Sequence, residues 1–444
     1  MDQVTESGLV RGVQRWDVVA LMINGIIGGS IFGLPSKLYA LTGAYSLLAF
    51  AVCALLIGLL TLCLAEVSSR FTETGGDYLY AREAFGANFG FAIGWLFLLR
   101  CLSAFAFICN VMVSYVGFFW TPANTGLARA LIMSGMIATL AIINVIGVSR
   151  AAVACDTFTI GKLIPLLLFI AVGFCFIEPQ NYSFAAPPSG ASFSKALALS
   201  FIPFAGFEGV LMLTGEIREP RRNLLFALPI AISVSALVYV SVQAICIGTL
   251  PDLAASETPL ADASNRFIGA AGATFITFGM LISAMGTLSG ILLTMPRLLF
   301  AMAERGQIPR IVSRTHKSFH TPHVAIVLTA IISLALALSG TFIYLATING
   351  ILKLILFATV CVVLPALRRR ETERPAAFRL PFGRLLAMIA LSVCVWLLSN
   401  IGWRELRDVG IALAIGLLLH FAYQWWQHEE HLPTVIQEHQ IRRI

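Results

Sequence analysis

The sequence predicts an all-α protein that crosses a lipid bilayer many times. Three observations carry that reading: a composition too apolar for a water-exposed chain, twelve apolar stretches of membrane-crossing length, and a lopsided placing of Lys and Arg between them. Of 444 residues, 58% are hydrophobic and 12% charged, and the mean hydropathy is +0.86. A soluble chain carries roughly 25% charged residues. So little polar surface cannot cover a protein in water, and lipid must be the solvent for much of it.

A helix needs about 20 mostly apolar residues to cross the hydrocarbon core. Twelve stretches qualify, near 16–38, 44–69, 88–120, 127–148, 153–177, 196–215, 224–250, 267–301, 323–340, 342–366, 383–401 and 408–427. The third and eighth are long enough to tilt or to continue as helix beyond the bilayer. Ahead of the first, Met1–Trp16 carries Asp2 and Glu6 before Arg11 and Arg15, with no small-residue cleavage site after a short apolar run. The first stretch is therefore expected to be a retained span and not a secretory signal.

With the N-terminus inside, 21 of the 30 Lys and Arg fall in inner segments and 6 in outer ones; Arg100, Lys162 and Lys353 lie within stretches. That bias obeys the positive-inside rule and predicts both termini in the cytoplasm. The net charge of +7 is thus a topology signal, and it does not point to nucleic acid. No polar segment is long enough to fold separately, so residues 1–444 read as one membrane domain. The nine cysteines sit in apolar stretches without C-x-x-C or Cys/His spacing. They read as small hydrophobes, with neither a disulfide nor a metal site, and no cofactor is expected.

Two stretches, five apart, break the rules of a simple membrane helix. The first reads Ile23-Asn24-Gly25-Ile26-Ile27-Gly28-Gly29-Ser30-Ile31-Phe32-Gly33-Leu34-Pro35, and the sixth Ser200-Phe201-Ile202-Pro203-Phe204-Ala205-Gly206-Phe207-Glu208-Gly209. Gly clusters and Pro weaken a helix, and unwound backbone at membrane depth is tolerated only where protein or a water-filled cavity satisfies it. Interrupted segments in corresponding halves point to a transporter binding site. Close helix packing is the competing use of such glycines, and for Gly25 alone it is the better one. Exposed N–H groups near Gly28, Gly29 and Ser30 would hold a carboxylate, and carbonyls near Ile26 and Phe204 would accept from an ammonium.

At these residues the chain resembles the amino acid/polyamine/organocation permease family, whose first span carries a G-S-G-[IV]-F-x-x-P pattern. Here it stands as Gly28-Gly29-Ser30-Ile31-Phe32-Gly33-Leu34-Pro35, with the Ser and second Gly exchanged. Gly75-Gly76-Asp77-Tyr78, Phe204-Ala205-Gly206-Phe207-Glu208, Gly215–Asn223, Arg297–Pro309 and Phe378-Arg379-Leu380-Pro381 follow in family order along most of the chain. The resemblance implies a LeuT-like fold: a five-helix repeat over 14–178, an inverted second repeat over 195–366, and two extra helices over 380–427. It further implies a secondary active transporter working by alternating access, with an amino acid or related amine held between the breaks, around Ile26, Gly28, Gly29, Ser30, Phe204, Ala205, Gly206 and Phe207.

Ionisable side chains inside a membrane are functional candidates. Lys162, in Gly161-Lys162-Leu163, matches a lysine of proton-coupled family members. A desolvated Lys can exchange its proton in a transport cycle, or it can stay charged and bridge spans one, five and eight. Ser283 and Thr287 are its candidate hydroxyl neighbours. Glu208 could gate, relay protons or pin the break. Arg100, beside Cys101, departs from the small or neutral residues usual at the family's side-chain subsite. It would suit a second carboxylate on an acidic substrate, an internal salt bridge to Glu208, or a solvated vestibule. Lys353 is expected to meet carbonyls or snorkel. Phe32, Phe204, Phe207 and Trp95 are candidate gates or plain packing.

Proton symport is the leading expectation, with exchange, or a transport-inactive sensor or partner subunit, as alternatives. An enzyme is not expected: the seven His lie away from the broken stretches, and G-x-S-x-G, H-E-x-x-H and Walker A patterns are absent. Short loops fit a bacterial inner membrane.

Overall fold

A computed structural model describes residues 11–441 apart from 185–186, 202, 205, 340–341, 371–374 and 400–402, and describes side chains over that span except at 114–115, 117–119, 121, 124, 342–347 and 426–441. Its α-helices are α1 (Arg15–Ile26), α2 (Leu34–Thr42), α3 (Ser46–Ser68), α4 (Gly76–Phe85), α5 (Ala87–Phe119), α6 (Gly126–Ile146), α7 (Val148–Gly173), α8 (Gly190–Phe201), α9 (Pro220–Thr249), α10 (Pro259–Ile268), α11 (Ala270–Glu304), α12 (His323–Leu338), α13 (Phe342–Arg369), α14 (Gly383–Ser399) and α15 (Trp403–Ile441). Among the described residues no strand forms; Val13 and Ile217 make one isolated parallel bridge.

Eight of the described helical segments are long and apolar enough to cross a membrane. Four of the twelve sequence stretches lie outside that set. The described parts of the ninth and eleventh are helices of 16 and 17 residues, α12 and α14, the second running to the edge of the described residues. The first and sixth are broken. In the first, α1 stops at Ile26, Gly28 is extended, a 3-10 turn covers Gly29–Phe32, and α2 carries Pro35 in its opening turn, where its missing N–H costs no hydrogen bond. In the sixth, α8 is described to Phe201, Pro203 and Phe204 form a turn, and a 3-10 segment runs from Phe207 to Glu216.

The core sits where these broken elements meet the long helices. α1 packs on α7, α9, α11 and the 3-10 segment 207–216, while α5 packs on α4, α11, α12 and α13. The short helix α4 is not a surface ornament: it packs on α5, α13 and the 3-10 segment, which drives Asp77, Tyr78 and Tyr80 into the interior.

The end that carries the N-terminus is tied by polar contacts. Val13 N–H donates to Glu216 O at 3.1 Å, and Arg218 N–H to Val13 O at 3.0 Å. Glu216 in turn faces Arg297 at 3.3 Å, both fully buried. Glu66, at the end of α3, accepts from Arg70, Arg368 and the Leu380 N–H. That contact docks the Phe378–Pro381 loop against α3 and α13.

Candidate functional site

The two breaks touch. A Cβ on Gly25 would lie 2.6 Å from the Gly206 carbonyl oxygen, and a Cβ on Gly206 would overlap the Gly25 carbonyl. Gly206 has φ +131°, a conformation that side-chain-bearing residues rarely adopt. The glycines therefore let backbone meet backbone. Close packing and the break are the same feature here.

Each face of the contact is held differently. On the first break, Lys162 Nζ, fully buried on α7, donates to Asn24 O at 3.0 Å and to Ile27 O at 2.6 Å. These are carbonyls that the end of α1 leaves without helical partners. Ser283 Oγ on α11 reaches the same Ile27 oxygen at 3.4 Å, whereas Thr287 Oγ1 turns to its own helix, donating to Ser283 O at 3.0 Å. Of the two expected hydroxyl neighbours, only Ser283 faces the lysine's acceptor. Thr287 instead lies 3.4 Å from where a Gly28 Cβ would be. Among the described residues no ion pair joins Lys162 to a carboxylate, so its partners are neutral carbonyls.

The N–H groups of Gly28, Gly29 and Ser30 precede the first paired amide of the 3-10 turn and find no main-chain acceptor among the described residues. Gly29 and Ser30 are partly exposed. At the corresponding place in the second break, the Gly206 N–H donates to Glu208 Oε2 at 2.7 Å. One break caps its amide with the chain's own carboxylate; the other leaves its amides open. Ala205 lies outside the described residues.

Glu208 uses its other oxygen on Arg100, with Nη1–Oε1 at 2.7 Å and both side chains buried. Of the three readings open for Arg100, the internal pair is the one the geometry displays. The guanidinium also lies 4.6 Å over the Phe97 ring and 3.7 Å from the Cys101 sulfur. Lys353 on α13 stands within electrostatic reach of Arg100, Glu208 and Cys101, and Asp77 on α4 within reach of Arg100 and Glu208.

The aromatic candidates are packed. Phe204 meets Tyr239 edge-on at 4.9 Å, Phe207 stacks on Phe357 at 5.9 Å, and Trp95 donates to Ala412 O at 2.9 Å. Phe32, also buried, borders a small cavity with Ile276, Met280 and Leu260.

Tyr239, on α9, was not singled out by sequence. Its hydroxyl lies 2.7 Å from Ile26 O and 3.1 Å from Pro203 O, one carbonyl from each break. A carbonyl has two lone pairs, so Ile26 O keeps one beyond its bond to Tyr239. The signal available was Tyr239 with Gln243 one turn later in an otherwise apolar stretch. Asn24, whose Nδ2 donates to Gly286 O at 2.6 Å, was likewise legible only as a polar residue in a span.

The amino acid permease family model matches residues 13–416. The chain is 26% identical to a methylthioribose transporter of Bacillus subtilis over 440 residues, covering 95% of each. It is 26% identical to a branched-chain amino acid permease of Bacillus subtilis over 446 residues, covering 94% of each. It is 27% identical to a serine/threonine exchanger from the same organism over 432 residues, covering 93% of this chain and 96% of the relative.

Proposed function

The chain belongs to the amino acid/polyamine/organocation permeases, and on that premise we propose that it is a secondary active transporter that couples amino acid uptake to protons by alternating access. The observation that carries this reading is the first break. Open amides at Gly28, Gly29 and Ser30 suit a carboxylate, while Lys162 beside them is held by carbonyls alone. A cation with neutral partners in a dry interior can give up its proton without stranding a counter-charge. Loss of that proton would leave a neutral amine whose bonds to Asn24 O and Ile27 O are no longer charge-assisted, loosening the end of α1 and linking protonation to the substrate's seat.

The spare lone pair on Ile26 O would accept the ammonium, with Gly206 and Phe204 forming the opposite wall. Because Arg100 is already paired with Glu208, the pocket favours a substrate without a second charge, with Cys101 near its side chain. In this reading twelve spans form two inverted five-helix repeats and two extra helices. Both termini face the cytoplasm of a bacterial cell, as the placing of Lys and Arg supports.

A thermal-shift screen of the detergent-purified protein against all amino acids and common polyamines tests the substrate class. A ligand of the folded state raises apparent stability by mass action. Stabilisation by a neutral amino acid is expected; stabilisation by polyamines alone would overturn the assignment. Exchange is the second reading, favoured by the likeness to a relative named as a serine/threonine exchanger. It predicts uptake that needs internal substrate.

A further inference from the structure

Four charged groups meet in the interior away from the first break: Arg100 on α5, Glu208 on the 3-10 segment, Lys353 on α13 and Asp77 at the start of α4. Three have evident employment. Arg100 and Glu208 hold each other, and Glu208 also caps Gly206. Lys353 shares their field. Asp77 does not fit that pattern: it is 3% exposed, and its Oδ1 is sealed from solvent without a hydrogen-bond partner among the described residues. An ionised carboxylate left in that position is far more costly than a protonated one. The same cluster contains a sealed, unpartnered donor, Arg100 Nε. The guanidinium therefore has a second side on which a competing carboxylate could act.

We propose that Asp77 is a proton-binding site separate from Lys162: protonated, it leaves Arg100 to Glu208, and on losing its proton to solvent it competes with Glu208 for Arg100. The proton is the only species exchanged, passing between the Asp77 carboxyl and water. The consequence reaches the second break, because Glu208 is what caps the Gly206 N–H, and α4 is one of the elements packed on the 3-10 segment that begins there.

The surroundings of Asp77 agree with this. Burial first, then the like charge of Glu208, push its carboxyl up to about 7, against the opposing pull of Arg100. The acids on the other elements packed on α4 are each held by an arginine among the described residues, Glu208 by Arg100, Glu66 by Arg70 and Arg368, and Glu216 by Arg297. From α5 comes Arg100 with Cys101; from α13, Lys353; from the 3-10 segment, Glu208. α3 offers Glu66, which pairs with Arg70 just beyond the helix and with Arg368. On α4 itself, Tyr80 feels Asp77, while Tyr78 faces Arg82, Arg305 and Glu83.

A carboxyl raised in the folded state binds its proton where the unfolded chain has already lost it. Its contribution to stability is full below the ordinary carboxylate range and is lost as pH rises through about 7. The test compares thermal unfolding of the full chain in detergent across that window for the parent, Asp77→Asn and Asp77→Glu. The parent should lose stability toward alkaline pH; Asp77→Asn should flatten that loss, and Asp77→Glu should keep it. An infrared pH-difference spectrum should lose a protonated-carboxyl C=O band in Asp77→Asn and keep it in Asp156→Asn, which alters a separate acid facing Asp17. A parent-like pH profile in Asp77→Asn, or a band that survives it, overturns the proposal. Both readouts are equilibrium measurements without substrate or gradient. Failure of proton-coupled transport would therefore leave them unchanged, and their failure would not touch the role of Lys162.

Discussion

Replacing Arg100 with alanine removes one half of a buried ion pair and leaves Glu208 charged in a dry interior. Breaking such a pair by deleting one partner costs about 3–5 kcal/mol. Glu208 keeps the Gly206 N–H on Oε2, so part of its charge stays hydrogen-bonded and the lower end, about 3 kcal/mol, is expected. Loss of the cation over the Phe97 ring, at 4.6 Å, adds about 1–2 kcal/mol. The sum is on the order of a thousandfold in the folded population. The double variant Arg100→Ala/Glu208→Gln should recover most of the first contribution, because glutamine carries no charge yet can still accept from the Gly206 N–H. With the single variant Glu208→Gln added, unfolding of the full chain in detergent reads the four proteins as a double-mutant cycle, with a coupling of at least about 2 kcal/mol expected for groups in direct contact. If the double variant is no more stable than Arg100→Ala, the pair is not what holds Glu208. If Arg100→Ala unfolds like the parent while binding of glutamate or aspartate collapses, Arg100 reads a substrate carboxylate and the neutral pocket is wrong.

Three further outcomes follow from the same contacts. Lys162→Ala should abolish accumulation driven by a pH gradient, since no described side chain replaces its bonds to Asn24 O and Ile27 O; full retention in liposomes would remove it from the mechanism. Tyr239→Phe removes the one hydroxyl proton that the buried Ile26 and Pro203 carbonyls share and should cost about 1–3 kcal/mol in unfolding measurements, with slower transport; unchanged stability would mean the hydroxyl bridges nothing. Gly206→Ala places a methyl group against the Gly25 carbonyl at φ +131°. Overpacking of about 1–3 kcal/mol adds to backbone strain of similar size, and poor folding yield with no transport is expected; a well-folded, active variant would contradict the backbone contact.

The elements that were legible in the sequence are those whose signal is local. Gly and Pro clusters weaken helices wherever they fall, so both breaks could be placed to within a few residues. A lysine among apolar residues needs partners at any depth, so Lys162 stood out before its acceptors were visible. What could not be read depends on how distant elements cross. The pairing of Arg100 with Glu208 was one reading among three, since nothing local fixes the distance between spans three and six. Tyr239 is unremarkable within α9 and gains its place only because α9 crosses both breaks. Ser283 and Thr287 are one helical turn apart; their sequence spacing puts both near one face, yet only Ser283 points at Ile27 O. Asp77 looked like part of a loop motif, and its burial follows from α4 folding inward under α5 and α13. The short helix α12 shows the limit of counting apolar residues, since a stretch of sufficient length ends as a helix of 16.

The central claim is that protons drive amino acid movement through the first break. Purified protein in liposomes, loaded with buffer and given an acidic exterior, tests it by uptake of a labelled amino acid chosen from the thermal-shift screen. Accumulation above the external concentration that collapses with a protonophore and vanishes in Lys162→Ala is the predicted result. Uptake that ignores the pH gradient and appears only when the liposomes already contain substrate would contradict it and establish exchange.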